Sequence, residues 1–509
     1  MYSKINTCVL QGLNGNIIEV ETDLSRGLPV FNIVGLADTS IKESKERVRA
    51  AIKNSGYEFP LSRITVNLAP ANLKKEGSQI DLAIAIGILK SSGLLLEKDI
   101  SDTIFIGELS LEGKINPIQG ALPMILSMRE LNVSRCIVPD GNKDECNVMQ
   151  DMEIIPVKSL KDVVDFLNDE IYIEPYIKEI NLFDNSENEQ VLDFADIKGQ
   201  ASLKRALEVA AAGSHNLLII GPPGAGKTMA ARRLPTILPN LSFEEAIEVT
   251  KIYSISGLLS SNSLIKERPF RAPHHTASAT SLIGGGRIPK PGEISLANNG
   301  VLFLDELPEF PKSVLEVLRQ PLEDGTITIS RANASLSYPA KFMLIASMNP
   351  CPCGYYGDPL HECTCTQGNI DRYLGKISNP LLDRIDIHIE VLPVKYDDLK
   401  GDKEEESSST IRERVKKARD IQLNRYKDHK IFTNSQIPNK YIKKYCKLTN
   451  SSEKIMNQAF TKYKFSGRTH NKLLKVSRTI ADLEGEEIIQ DRHILEAIRY
   501  RTLDSKYWG

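Results

Sequence analysis

LLIIGPPGAGKT, residues Leu217–Thr228, is a short apolar run that passes directly into a glycine-rich turn. The turn fits GxxxxGK[ST], a pattern whose backbone cradles phosphates. In the loop Gly221, Pro222, Pro223, Gly224, Ala225 and Gly226, the glycines let backbone N–H groups turn inward around phosphate oxygens. The helix expected to follow adds its positive dipole end. Lys227 is then placed to contact the β- and γ-phosphates, and Thr228 to ligate Mg2+ through its hydroxyl. A chance glycine-rich turn would have no reason to sit between a buried strand and a helix.

Moving outward, VLFLDE (Val301–Glu306) is a second apolar strand, and it ends in two acids. Asp305 is placed to hold Mg2+ through water, and Glu306 to polarise an attacking water as general base. Asn349 follows the strand FMLIASM, where its amide could position that water. Arg384, in NPLLDRID, is either a cation that reaches a phosphate or a local salt-bridge partner of Asp383 or Asp386. Strands that alternate with helices and carry polar groups at their carboxyl ends predict an α/β fold with a parallel sheet and flanking helices.

The flanks read differently. Residues 1–167 mix short β-type runs with helices and predict a separate α/β domain. In it, Asn14-Gly15-Asn16 reads as a hairpin turn. Ser40 with Glu43 reads as a capping box that opens a helix ending near Gly56. Ile64–Leu68 reads as a buried strand, and Asp81–Leu89 as an apolar helix. An acidic linker is expected over 168–193, the nucleotide-binding core over 194–394, and a polar linker containing GDKEEESSS over 395–409. Thr410 with Glu413 then opens a helical domain over 410–509.

Size and composition bound the function. The chain has 509 residues, 41% hydrophobic and 26% charged, with a formal net charge of −2. That balance gives no global attraction for nucleic acid, so any such contact must come from local basic loops. The N-terminus MYSKINTCVLQGL lacks the basic start and long apolar run of a signal peptide, and no apolar stretch approaches twenty residues. A cytoplasmic chain with no membrane partner is expected.

Of the eight cysteines, Cys8, Cys136, Cys146 and Cys446 are scattered, and they read as buried or inert thiols. Cys351, Cys353, Cys363 and Cys365 form two Cys-X-Cys pairs within CPCGYYGDPLHECTC. Four thiolates suit tetrahedral Zn2+, with His361 as a spare ligand. An unliganded reduced loop and a redox-sensitive pair are the alternatives.

FADIKGQ (194–200), RPFRAPHHTASATSLIGGG (268–286), PKPGEISLANNGVLFLDELPEF (289–310), MNPCPCG (348–354), PLLDRIDIHIEV (380–391) and SGRTHNKLLKVSRTIADLEG (466–485) accompany the phosphate loop. With these motifs the central region resembles the magnesium-chelatase-like AAA+ ATPases, and the whole chain resembles the ComM (YifB) family. The resemblance implies an AAA+ core with a helical lid. It makes Asn349 the sensor-1 residue, Arg384 an arginine finger acting on a neighbour's ATP, and Arg468 the sensor-2 residue of the lid. It also implies a homo-hexameric ring that hydrolyses ATP and drives branch migration on single-stranded or branched DNA during recombination or natural transformation. A regulatory or chelatase-like remodelling protein that does not translocate on DNA is the alternative.

Two segments suit a DNA-facing channel. Gly325–Lys341 reads as a hairpin with Arg331 and Asn333 near its tip, where the resemblance places the pre-sensor-1 hairpin. The insertion Arg268–Lys290 carries Arg268, Arg271, His274, His275, Arg287 and Lys290. Cations on loops can grip phosphates without reading sequence; the alternative is that these side chains pack against one another or against a neighbouring subunit. Residues 1–167 resemble the Lon-protease-like (S5-like) fold also found in RadA proteins. Gln79 stands where proteolytic relatives carry serine, with Ser78 one step early and Asp81 opening the helix. The resemblance therefore implies a non-proteolytic scaffold or DNA-engaging domain rather than an ATP-dependent protease.

Overall fold

In a computed structural model, residues 1–129, 131, 133–148, 152–178, 192–259, 264–286, 289–331, 334–393 and 405–508 are described. They form two compact units. The first is Met1–Asp184 with Phe243–Lys266, and the second is Asn185–Ser242 with Glu267–Gly509. Among the described residues no helix is long and apolar enough to cross a membrane.

The first unit is built on β1 (Tyr2–Gln11), β2 (Asn14–Ser25), β3 (Val30–Val34), β4 (Arg63–Ala69), β5 (Thr103–Phe105), β8 (Arg135–Pro139) and β9 (Glu153–Val157), with β6 (Glu108–Leu109) and β7 (Ile115–Asn116) forming a small separate ladder. The sheet order is β3-β4-β2-β1-β5-β8-β9. Gln11 pairs with Asn14, so the hairpin turns at Gly12-Leu13, two residues before the expected Asn14-Gly15-Asn16. Gly15 answers a different need. A Cβ there would lie 2.9 Å from Cys8 Sγ and 3.0 Å from Ser127 Cβ, so glycine lets the helix Ala121–Arg129 pack onto the hairpin.

Two other local expectations shift as well. The helix Thr39–Asn54 is capped by Asp38, which accepts from the Ile41 N–H at 2.9 Å, in place of the Ser40–Glu43 box. β4 alternates, with Ile64, Val66 and Leu68 inward, so only one of its faces is buried. The helix Asp81–Ser91 is buried along nearly its whole length, as its unbroken apolar sequence demands. Helix Phe243–Ser256, read from sequence within 194–394, belongs to this unit; its Ser254 hydroxyl donates to the buried Glu145 carboxylate at 2.7 Å.

The second unit holds β10 (Leu217–Ile220), β11 (Phe270–Arg271), β12 (Gly284–Gly285), β13 (Lys290–Pro291), β14 (Val301–Leu304), β15 (Thr326–Arg331), β16 (Ala334–Pro339), β17 (Met343–Met348) and β18 (Ile387–Glu390). The main sheet runs β11-β14-β17-β10-β18, and every pair is parallel. β10, β14 and β17 are buried at every residue, as expected for strands covered on both faces. The chain reaches β11, β14 and β17 on one side of β10 and then crosses to β18 on the other. That crossing puts the carboxyl end of β10 at the switch point where α/β sheets bind ligands.

The C-terminal helices share this unit's core with the sheet. The first of them, Ser408–Arg425, is capped by Ser407, which accepts from the Thr410 N–H; the expected start at Thr410 lies inside the helix. Buried polar contacts fasten the helices to the sheet. His215 approaches Asp386 at 3.1 Å through Nδ1 and Thr479 at 2.8 Å through Nε2, and Lys472 meets Asp386 at 3.0 Å.

Candidate active site and cysteine cluster

The phosphate loop leaves the carboxyl end of β10 and closes into the helix Lys227–Arg233. Gly224 and Gly226 have φ of +76° and +82°, and among the described residues nothing lies within 4 Å of where a Cβ would stand. Glycine is therefore needed there for conformation, and the cradle stays open. At Gly221 the need is steric, because a Cβ would meet the Val391 carbonyl at 2.5 Å. The Lys227 ammonium donates to the Gly221 carbonyl at 2.7 Å, the Pro222 carbonyl at 2.9 Å and Asn349 Oδ1 at 3.0 Å. Burial lowers its pKa, against the pull of Asp305 and Glu306. Lys227 is thus held by neutral acceptors that phosphate oxygens can replace.

Beside it, the Thr228 hydroxyl donates to Asp305 Oδ2 at 2.7 Å. The Thr228 oxygen in the first turn of the helix and the Asp305 oxygen just after β14 stand side by side, a hard-oxygen pair suited to Mg2+ and its water shell. The other oxygen of Asp305 accepts from the Ser347 hydroxyl and from the Glu306 N–H. Ser347 is buried on β17, where Leu304 pairs with Ala346, so residues 305 and 347 are neighbours. Sequence reading missed Ser347; the one signal was a hydroxyl at the end of the otherwise apolar run FMLIASM.

Glu306 stands at φ +53°, in the left-handed region, with its side chain half exposed. A non-glycine residue held there stores strain of the kind that collects at functional sites. His275 Nδ1 lies 3.5 Å from Glu306 Oε2, and its ring packs at a tilt against His274 with centroids 4.0 Å apart. His275, expected in a DNA-contacting insertion, therefore faces the candidate general base.

Arg384 and Arg468 lie elsewhere. The Arg384 carbonyl accepts from Asn216 Nδ2 at 2.9 Å, just before β10 begins. Its guanidinium reaches Glu323 at 2.5 Å and the Pro380 carbonyl at 2.6 Å, so neither Asp383 nor Asp386 is its partner. Arg384 Nε is buried without a hydrogen-bond partner among the described residues. Arg468, exposed at the start of helix Gly467–Leu483, approaches Asp383 at 3.9 Å. Arg384 above all, with Arg468 helping, holds the Glu323 carboxyl below its usual range against a smaller opposing effect of burial. Both cations thus gather at the amino end of β10, while Lys227 and Thr228 follow its carboxyl end. A strand of this length separates the two by about 10 Å.

The candidate DNA contacts divide. Arg268 donates to the carbonyls of Pro239 at 2.6 Å, Asn299 at 2.6 Å and Asn240 at 3.3 Å, and Arg271 forms a bidentate pair with Glu293 at 2.6 and 2.8 Å. Those two guanidiniums are engaged within the chain. Lys290 is exposed on β13, and Arg331 ends β15. The β15–β16 hairpin stands where it was expected; Arg287 and Asn333 lie outside the described residues. Tyr338 on β16 donates to the Pro289 carbonyl at 2.8 Å, tying the hairpin to the insertion.

The cysteine loop folds back on itself. Cys351 Sγ lies 3.3 Å from Cys353 Sγ and 3.8 Å from Cys363 Sγ, and Cys353 lies 3.6 Å from Cys363. The four sulfurs, Cys365 included, all fall within 4.8 Å of one another. His361 is not among them. Its ring packs on Tyr355 and its Nδ1 stands 3.6 Å from Asp358, so it is no spare ligand.

In comparisons with known proteins, residues 193–399 match the family described as magnesium chelatase, subunit ChlI; residues 20–142 match subunit ChlI of Mg-chelatase, and residues 405–501 match the subunit ChlI C-terminal family. The competence protein ComM of Haemophilus influenzae is 45% identical over 497 residues, covering 97% of this chain and 96% of that protein. The protein YifB of Escherichia coli is 42% identical over 505 residues, covering 99% and 97%. The magnesium-chelatase 38 kDa subunit of Rhodobacter capsulatus is 28% identical over 177 residues, covering 31% of this chain and 51% of that protein.

Proposed function

Because the chain belongs to the family of the competence protein ComM and the YifB proteins, within the magnesium-chelatase-like AAA+ ATPases, we propose that it is an ATP-hydrolysing ring motor acting on DNA, a branch-migration helicase of recombination and natural transformation. The observation that carries this reading is the separation of its cations. Lys227, Thr228, Asp305, Glu306 and Asn349 converge at the carboxyl ends of the strands, whereas Arg384 and Arg468 sit together at the opposite end. A head-to-tail neighbour that presents its strand-start end to this loop brings both arginines to the phosphates. Repetition of that heterologous contact closes a ring, here a homo-hexamer.

Within the completed site each side chain has one task. Lys227 exchanges its carbonyl acceptors for β- and γ-phosphate oxygens. Thr228 and Asp305 hold Mg2+, which supplies charge neutralisation when bound. Asn349 orients the attacking water and Glu306 accepts its proton. The neighbour's Arg384 leaves Glu323 for the charge that develops on the transferred phosphoryl group, with its Arg468 alongside. Coupling to DNA falls to the β15–β16 hairpin with Arg331 and Asn333, and to Arg287 and Lys290 of the insertion. Arg268, bound to backbone carbonyls, and Arg271, paired with Glu293, instead hold that insertion in shape.

The name of the Haemophilus relative, competence protein, supports the DNA reading. The proposal is tested by measuring ATP hydrolysis and strand displacement with single-stranded, forked and four-way-junction DNA. Stimulation and unwinding by a branched substrate are expected; hydrolysis indifferent to every DNA, with no unwinding, refutes the motor. A remodelling ATPase without DNA is the second reading, favoured by chelatase-subunit descriptions over all three matched segments. The N-terminal unit serves as a scaffold and not as a protease. Its Ser78 hydroxyl is engaged by Glu108, and the Lys75 ammonium is bound to the Pro70 carbonyl.

A further inference from the structure

We propose that Cys351, Cys353, Cys363 and Cys365 together hold one Zn2+, and that this centre is a strut under the phosphate loop through which metal occupancy controls ATP turnover. The second half rests on the ATPase reading above; the first does not.

The sulfur geometry selects the metal. Zinc–sulfur bonds of about 2.3 Å make a tetrahedron whose edges are about 3.8 Å. The separations of 3.3, 3.6 and 3.8 Å, with all four sulfurs inside 4.8 Å, suit thiolates gathered around a single ion. Iron–sulfur clusters distribute their thiolates over several irons and need a wider cage. An all-sulfur set also rejects Mg2+ and Ca2+, which take oxygen ligands. The loop has little else to fold around. Leu360 is 71% exposed, and residues 355–364 are all partly or fully open to solvent. A segment with no apolar core draws its order from the metal it binds.

Three contacts make the centre a strut. Cys351 is fully buried two residues after Asn349, whose side chain accepts from Lys227 at 3.0 Å. Gly354, at φ +89°, donates its N–H to the Cys351 carbonyl at 3.0 Å. It also packs so closely on the phosphate loop that a Cβ would stand 2.6 Å from Pro223 Cδ. The last ligand, Cys365, leads within two residues into helix Gln367–Leu374, whose Tyr373 is buried. Zinc therefore ties Asn349, the phosphate loop and this helix together.

The full-length protein, purified without added metal, is analysed for zinc, and its thiols are then titrated with a mercurial while an indicator dye reports released metal. About one zinc per chain is expected, released in step with four thiols. A chain that contains no zinc, and takes up none when reduced and given Zn2+, overturns the site. Removing zinc from the wild-type protein should lower ATP turnover by about tenfold through displacement of Asn349 and the loop, and zinc added back should restore it. Gly354→Ala should retain its zinc and still lose turnover, because its new methyl group presses on Pro223. Wild-type turnover in zinc-free protein, or in Gly354→Ala, overturns the strut. Lys227→Ala separates the two readings, since it should abolish hydrolysis and keep its zinc.

Discussion

Replacing Ser347 by alanine deletes one hydroxyl and leaves β17 otherwise unchanged, since the residue is fully buried in a strand whose partners on both sides are parallel. The lost contact is a hydrogen bond to a carboxylate, a class worth ~1.5–3 kcal/mol. Asp305 keeps two other donors, the Thr228 hydroxyl at 2.7 Å and the Glu306 N–H at 3.1 Å, so the loss belongs at the lower end, near ~1.5 kcal/mol. If Ser347 orients Asp305 for Mg2+, that energy corresponds to about a tenfold rise in the Mg2+ concentration that half-saturates ATP hydrolysis. The assay is steady-state hydrolysis at saturating ATP across a Mg2+ titration, with thermal melting in parallel. Half-saturation within twofold of wild type, in a protein that melts normally, refutes the assignment of Ser347 as the residue that positions Asp305.

Glu306→Gln should keep nucleotide binding and lower hydrolysis by roughly 10^2-fold or more, trapping an ATP-bound assembly; normal turnover removes Glu306 from the role of general base. Arg331→Ala should weaken DNA binding and flatten its dependence on salt by about one phosphate contact, as read by titrating labelled branched DNA at several ionic strengths. His388 is buried at the sheet–helix junction, and burial, aided by Arg501, lowers its pKa to about 4. Because the unfolded chain binds that proton more readily, the stability tied to neutral His388 is complete above about pH 6.5 and is lost as pH falls towards 4. The melting temperature should drop over that window, and His388→Gln should flatten the drop; an unchanged slope contradicts the linkage.

The positions of the phosphate loop, Asp305, Glu306 and Asn349 were legible from sequence because each follows the end of a short apolar strand. The parallel sheet and the β15–β16 hairpin followed from the same logic. What escaped was set by packing between distant segments. Gly15 read as a turn residue, yet it is small because Ser127 and Cys8 crowd it. Ser347 looked like one more strand residue until register put it beside Asp305, and His275 looked like a basic loop residue until the fold set it against Glu306. The helix Phe243–Ser256 continues the nucleotide-binding segment in sequence but packs with the N-terminal unit, an assignment no local signal carries. Arg384 could not be decided locally either. Its acidic sequence neighbours invited a salt bridge, whereas its partner, Glu323, comes from a helix remote in sequence.

In the proposed ring, one chain's phosphate loop works with another chain's arginines. Lys227→Ala and Arg384→Ala are each expected to be inactive alone, so mixing the two purified variants and allowing subunits to exchange tests the claim directly. In an equal mixture, recovery to about a quarter of wild-type hydrolysis is expected, since about one interface in four joins an intact loop to an intact arginine. If mixed assemblies form and hydrolysis stays at the level of the separate variants at every ratio, Arg384 does not act across a subunit boundary and the account is wrong.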